Sequence, residues 1–307
     1  MIGTRLVALA GALVAAIASC NGADDADART DSTHPAILPA FVQQRNNAQA
    51  SIPGVPFSRR TPRWVARATR RWPHDSLAYT QGLVARDSVL LESTGLEGHS
   101  DIRTVDRATG KMLKRALLPD SEFGEGIASI GNRVYQLTWQ SGRGRVYDAH
   151  TLAVVDSFTY DGEGWGLATD DTLLYMTDGT SGVRVIDPNG FRVVRRIRVT
   201  EAGEGVHMLN ELEWVRGELW ANVYETSLVA RIDLATGRVV GWVDLGMLLP
   251  EAQRDRLKDR GGVANGIAYD RATDRVLVTG KYWPYLFQLD TIPSVTSPRA
   301  PRRPPRP

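Results

Sequence analysis

Nine residues carry most of the chemistry in this chain. Gln81, Phe123, Glu125, Trp165, Asn210, Glu211 and Glu213 sit in or beside short turns. Trp139 and Lys281 follow at the ends of neighbouring apolar runs. Together they offer one acid or base, aromatic walls, amides and a cation, a set suited to a small polar organic group. A metal site fits less well: the five histidines form no ligand-spaced pair, and the carboxylates show no calcium-loop pattern.

The turns that hold these residues repeat. They read Gln81-Gly82-Leu83, Gly124-Glu125-Gly126-Ile127, Gly164-Trp165-Gly166-Leu167, Asn210-Glu211-Leu212-Glu213 and Asn265-Gly266-Ile267-Ala268, about 40 to 55 residues apart. Each precedes a β-rich run, such as Val134-Tyr135-Gln136-Leu137-Thr138 or Val276-Leu277-Val278-Thr279-Gly280. The period is that of propeller blades and predicts an all-β, five-bladed β-propeller over residues 63–290. First strands of blades line the central channel, so turns far apart in sequence converge there. The fifth copy lacks an outer strand. Trp64-Val65-Ala66-Arg67-Ala68, ahead of the first copy, is expected to complete it and close the ring without an exposed edge. Pro250 to Arg260 suits a short surface helix.

The ends read differently. Arg5, an apolar run from Leu6 to Ile17 and then Ala18-Ser19-Cys20 describe a secretory signal peptide over 1–20. Cys20, the chain's one cysteine, resembles the acylated residue of a bacterial lipobox. That predicts an exported domain, lipid-anchored to the cell envelope, facing the periplasm or the cell surface. Residues 21–62 read as a flexible tether and 291–307 as a disordered tail rich in Pro and Arg. A formal net charge of +2 argues against a broad nucleic-acid-binding face. With one thiol, neither internal disulfides nor a cysteine-built zinc site can form. A closed ring gives no need for a partner subunit, so a monomer is expected.

The chain resembles the plant-type glutaminyl cyclases, a five-bladed propeller family, from Trp64 to Leu289. The likeness is carried by Tyr79-Thr80-Gln81-Gly82-Leu83, Glu92-Ser93-Thr94-Gly95-Leu96, Phe123-Gly124-Glu125-Gly126-Ile127 and Gln136-Leu137-Thr138-Trp139. It continues through Gly164-Trp165-Gly166-Leu167, Asn210-Glu211-Leu212-Glu213-Trp214, Trp220-Ala221-Asn222-Val223, Asn265-Gly266-Ile267-Ala268-Tyr269 and Thr279-Gly280-Lys281-Tyr282-Trp283-Pro284. The resemblance implies conversion of N-terminal glutamine of a peptide or protein to pyroglutamate with loss of ammonia, needing no cofactor or catalytic metal. The family's essential glutamate falls on Glu125. Its substrate-lining positions fall on Tyr79, Gln81, Phe123, Trp139, Trp165, Asn210 and Lys281. Tyr224 stands where a tryptophan-type aromatic is expected, and Tyr79 where phenylalanine is common.

These residues suit that reaction. Nucleophile and electrophile belong to one molecule, so ring closure removes much of the entropic problem. A carboxylate can move the proton from α-amine to leaving ammonia, Lys281 can face the oxyanion, and Asn210 and Gln81 can bind amides. Blander roles are expected elsewhere. One of Glu211 and Glu213 would pair with Lys281, and the other would cap a strand end. Trp214, Trp220 and Trp242 would pack between blades, and His99 would make a backbone hydrogen bond. His207 would border the mouth in a minority reading, and Trp283 is open. The competing functions are a non-catalytic, envelope-anchored propeller binding peptides or sugars at the mouth, and a metal-dependent lactonase.

Overall fold

A computed structural model describes residues 61–293 of the chain. The expected leader at 1–20, all but the last two residues of the tether, and the tail from 294 lie outside the described residues.

The described chain is almost entirely β. It opens with β1 (Arg63–Pro73), and four-stranded antiparallel sheets follow. The first holds β2 (Thr80–Arg86), β3 (Val89–Thr94), β4 (Asp101–Asp106) and β5 (Met112–Leu117). The second holds β6 (Gly124–Ile130), β7 (Arg133–Thr138), β8 (Arg143–Asp148) and β9 (Val154–Thr159). The third holds β10 (Leu167–Thr169), β11 (Leu174–Met176), β12 (Gly182–Asp187) and β13 (Arg192–Arg198). A small hairpin, β14 (Thr200–Glu201) and β15 (Glu204–Gly205), comes next.

The remaining strands form one ten-stranded sheet that includes the hairpin. They are β16 (Leu209–Val215), β17 (Glu218–Val223), β18 (Leu228–Asp233) and β19 (Arg238–Asp244), then β20 (Ala264–Asp270), β21 (Arg275–Gly280) and β22 (Tyr285–Pro293). β1 joins the two groups. It runs antiparallel to β22, from Trp64 opposite Pro293 to Pro73 opposite Tyr285. It also runs parallel to β19 over Arg63 to Val65. The strand expected to complete the last group is therefore present, longer than Trp64 to Ala68. β22 continues three residues beyond the expected boundary at 290.

Burial grades across each sheet. The first strands β2, β6, β10, β16 and β20 are almost wholly buried along their first halves, whereas β5, β9 and β13 are mostly exposed. The first strands touch in a cycle: β2 with β6, β6 with β10, β10 with β16, β16 with β20, and β20 with β2. The recurring glycines make that approach possible. A Cβ on Gly126 would stand 2.5 Å from the Leu167 nitrogen, and one on Gly166 would stand 2.1 Å from the Asn210 carbonyl oxygen. Neither distance is tolerable for a side chain, so the repeat of glycine is a repeat of backbone contact.

One helix, α1 (Glu251–Lys258), occupies the expected insertion. Glu251 in its first turn and Arg256 and Lys258 in its last complement the helix dipole. Leu257 is its buried residue.

Candidate active site

The first strands share a local irregularity. Pairing slips between Thr80 and Gly82, Gly124 and Ile127, Leu209 and Leu212, and Ala264 and Ile267. A bulge leaves residues unpaired and re-aims their side chains. The residues caught in these slips are Gln81, Glu125, Asn210 with Glu211, and Asn265. The chemistry thus stands where the ladder is broken, at the N-terminal end of each first strand. In the third sheet Trp165 and Gly166 precede β10, tied to Thr177 by backbone bonds of 2.9 and 3.1 Å.

Glu125 is buried, at 4% exposure. Its charge is felt at Lys281, Tyr79 and Tyr160. Lys281, 2% exposed, places Nζ 4.4 Å from the ring centroid of Tyr79 and 4.8 Å from that of Tyr224. Burial pushes the Lys281 ammonium down to about 8, although Glu125 and Glu225 oppose the shift. The structure thus holds an ammonium that loses its proton near pH 8 within electrostatic reach of a buried carboxyl group.

The aromatic residues form a closed circuit inside one apolar cluster. Tyr79 meets Phe123 edge to face at 6.0 Å, and Phe123 meets Trp139 at 6.1 Å. Trp165 meets Tyr224 at 5.8 Å, and Tyr224 shares a hydrogen bond with Tyr79. Burial drives the Tyr79 phenol well up, with Tyr224, Tyr282 and Glu125 adding to it. The remaining gap, between Trp139 and Trp165, is spanned by Glu163, whose Oε2 accepts both indole N–H groups at 2.8 Å.

Amides complete the surroundings. Asn265 donates from Nδ2 to the Thr80 carbonyl at 2.9 Å and to Gln81 Oε1 at 3.1 Å, which leaves the Gln81 amide nitrogen to donate elsewhere. Gly95 lies against both Gln81 and the Phe123 ring, placing them side by side. The buried Oδ1 atoms of Asn210 and Asn265 have no hydrogen-bond partner among the described residues. A buried acceptor without a donor is costly, and a ligand N–H would relieve it.

The structure therefore gathers Tyr79, Phe123, Glu125, Trp139, Trp165, Tyr224 and Lys281, and sets Gln81 against Phe123. Asn210 is joined to this group through its backbone: its carbonyl accepts from Thr177 Oγ1 at 2.8 Å, beside Gly166. The expected partnership of Lys281 with Glu211 or Glu213 is replaced by backbone capping. Glu211 accepts from the Ile267 N–H at 2.7 Å and Glu213 from the Trp214 N–H at 2.8 Å. Loss of solvent raises both carboxyl groups: Glu211 well above its ordinary value and Glu213 to about 8.

His99 and His207 are both exposed, and the His99 backbone N–H donates to Leu96 at 3.0 Å. Trp214 stacks on Tyr175 across two sheets, as packing requires. Trp283 is buried against Phe287.

Four residues lie outside the site set read from the sequence, although Asn265 stands in one of the recurring turns and Tyr282 beside Lys281. Glu163 and Asn265 bind expected site residues, and Tyr282 packs on Tyr79 at 5.3 Å. His74 lies buried between the Trp283 carbonyl, to which Nδ1 donates at 2.7 Å, and Glu92, 3.0 Å from Nε2. Burial alone would lower the His74 pKa, but the Glu92 carboxylate outweighs it and raises it above its ordinary value. Its only local signal is its place just ahead of the first repeat. Glu92 also accepts from Thr80 Oγ1 at 2.7 Å.

Comparison with known proteins shows the family. A family model described as glutamine cyclotransferase matches residues 37–291. The glutaminyl-peptide cyclotransferase of Arabidopsis thaliana is 42% identical over 223 residues, which cover 71% of this chain and 68% of the plant protein. The crystal structure of Myxococcus xanthus glutaminyl cyclase superposes with a TM-score of 0.71 at 35% identity, covering 76% of this chain and 99% of that one. The chain therefore belongs to the glutamine cyclotransferase family.

Proposed function

We propose that this protein is a glutaminyl-peptide cyclotransferase, converting the N-terminal glutamine of peptides or proteins to pyroglutamate with release of ammonia. The observation that carries the reading is a buried carboxyl group, Glu125, whose charge reaches the buried Lys281 and Tyr79, a member of the aromatic circuit. In this reading the substrate's α-amine attacks the carbon of its own side-chain amide. Glu125 takes the proton from the amine and returns it to the nitrogen that leaves as ammonia. Such transfer is worth roughly 10²–10⁴-fold. Lys281 faces the oxygen that gains charge as the carbon becomes tetrahedral. The unpartnered Oδ1 of Asn210 accepts an N–H of the substrate, and the Gln81 amide donates to a carbonyl. Tyr79, Phe123, Trp139, Trp165 and Tyr224 wall the folded-back side chain and exclude water. Tyr79 and Tyr224 keep the wall aromatic, so they bear on substrate preference more than on chemistry.

The cycle of contacts among five first strands supports a five-bladed β-propeller, with β1 completing the last blade and residues 63–290 as the catalytic domain. Acylation of Cys20, a tether to the envelope and a monomeric state are part of the same proposal, on the sequence pattern alone.

Ammonia release from Gln-β-naphthylamide by the full chain and by Glu125→Gln tests the reading. Turnover in the wild type that disappears in the variant supports it. A silent wild type would leave a peptide- or sugar-binding module instead.

A further inference from the structure

The two tryptophans of the wall belong to different sheets. Trp139 follows β7 of the second sheet, and Trp165 precedes β10 of the third. Packing alone lets adjacent sheets settle with some freedom of tilt, and two indoles carried by them would inherit it. One side chain bridges them. Glu163 Oε2 accepts from Trp139 Nε1–H and Trp165 Nε1–H, both at 2.8 Å, and its Oε1 accepts from Gln140 Nε2 at 3.0 Å. The connection that bears it is itself fixed, since the Gly164 N–H donates to the Trp139 carbonyl at 3.0 Å. Behind the second indole, a Cβ on Gly179 would come within 2.8 Å of the Trp165 ring, so that ring has no room to retreat.

We propose that Glu163 is a positioning residue for glutamine cyclisation: one carboxylate oxygen sets the spacing and tilt of the Trp139 and Trp165 indoles, and so the conformation of the substrate side chain between them. Indole N–H groups are donors only, and a carboxylate is an acceptor only, so the three bonds are fixed in direction. Charge-assisted bonds of this length are about twice as strong as neutral ones. Cyclisation needs the amine and the amide carbon in near-attack geometry, where misplacement of about 1 Å costs on the order of 10²-fold. The proposal rests on the cyclotransferase reading above.

The test uses the full chain as wild type, Glu163→Ala, Glu163→Gln and Glu125→Gln, with kinetics on Gln-β-naphthylamide and amide–indole correlation spectra. In Glu163→Ala two of the eight tryptophan indole N–H resonances move upfield. In the same variant kcat/KM falls about tenfold or more, chiefly in kcat. Glu163→Gln keeps a carbonyl oxygen able to accept both indoles, so it restores the resonances and returns kcat to within about threefold of wild type. Glu163→Ala with shifted indoles but kcat/KM within twofold of wild type overturns the proposal while leaving the cyclotransferase intact. So does Glu163→Gln as impaired as Glu163→Ala while its indole resonances stay in place. A wild type without turnover, or an active Glu125→Gln, overturns the parent reading and this one with it.

Discussion

Each first strand serves two places. Its N-terminal end contributes to the Glu125 site, and its C-terminal end to a separate cavity of about 370 Å³ lined by Arg86, Asp171, Glu213, Asp270 and Arg271 among others. Both ends hold ionisable groups, and each has one displaced to about 8: Lys281 at the first, Glu213 at the second. The company these groups keep is what differs. At the second end Arg86 donates to Ser129 Oγ and the Gly131 carbonyl, Arg271 pairs with Asp171, and Arg107 pairs with Asp270 at 2.6 Å. Glu213 is occupied by backbone N–H groups of Trp214 and Tyr269. Charge there is spent on the protein itself. At the first end the cation lies against two rings, and amide oxygens are left unpartnered. A displaced pKa alone does not mark a catalyst. Aromatic walls and unpartnered amide oxygens are what set the first end apart.

The sharpest way to break this contrast is to neutralise one carboxyl group at each end. Glu125→Gln is expected to lower kcat by about 10²-fold or more. Glu213→Gln should leave kcat/KM within twofold, with circular dichroism confirming that both variants fold. Equal losses would erase the distinction. Next in size, Lys281→Met should reduce kcat by on the order of 10²-fold and raise KM much less. The reverse split would remove Lys281 from the oxyanion.

The pH profile sharpens the same point. Lys281 is charged below about 8 and loses its proton above it, so kcat/KM should fall as pH rises through that value. The substrate amine becomes nucleophilic near pH 8, so the wild-type profile is a bell whose falling limb is absent in Lys281→Met. Glu213 acts on stability instead. The folded chain keeps that proton up to about 8, whereas the unfolded chain releases it near its ordinary value of 4.5. Folding therefore takes up a proton between those limits, and stability declines as pH rises through them. Glu213→Gln should raise Tm at pH 9 and leave it unchanged at pH 4. The smallest expected effect is that of chelator, which should leave turnover as it was.

The sequence exposed whatever repeats. Glycines recur because first strands touch through their backbones, and the side chains beside those glycines recur at the same broken rung of the ladder. Gln81, Glu125 and Asn265 meet that rule in full, whereas Trp165 has the glycines without the slip and Asn210 has the slip without a glycine. Contacts made once in the molecule left no such trace. Glu163 sits between strands, and nothing local says that its carboxylate reaches an indole 24 residues away. His74 meets Trp283 across 209 positions, and β1 lies parallel to β19 where only its pairing with β22 was expected. The misplaced partners of Lys281 have the same origin. The bulge at Leu209 to Leu212 turns Glu211 to the Ile267 amide, and Glu213, past the bulge, belongs to the other end of its strand.

The pairing of β1 with β22 carries a consequence for synthesis. Among the described strands, the first made has to wait for the last, about 220 residues later, before its antiparallel neighbour exists. Until then β1 presents unsatisfied backbone groups along its length, and so does the unfinished edge of β21. During translation the nascent chain thus carries two sticky borders whose correct remedy is each other, and a truncation ahead of Tyr285 would make that vulnerability permanent.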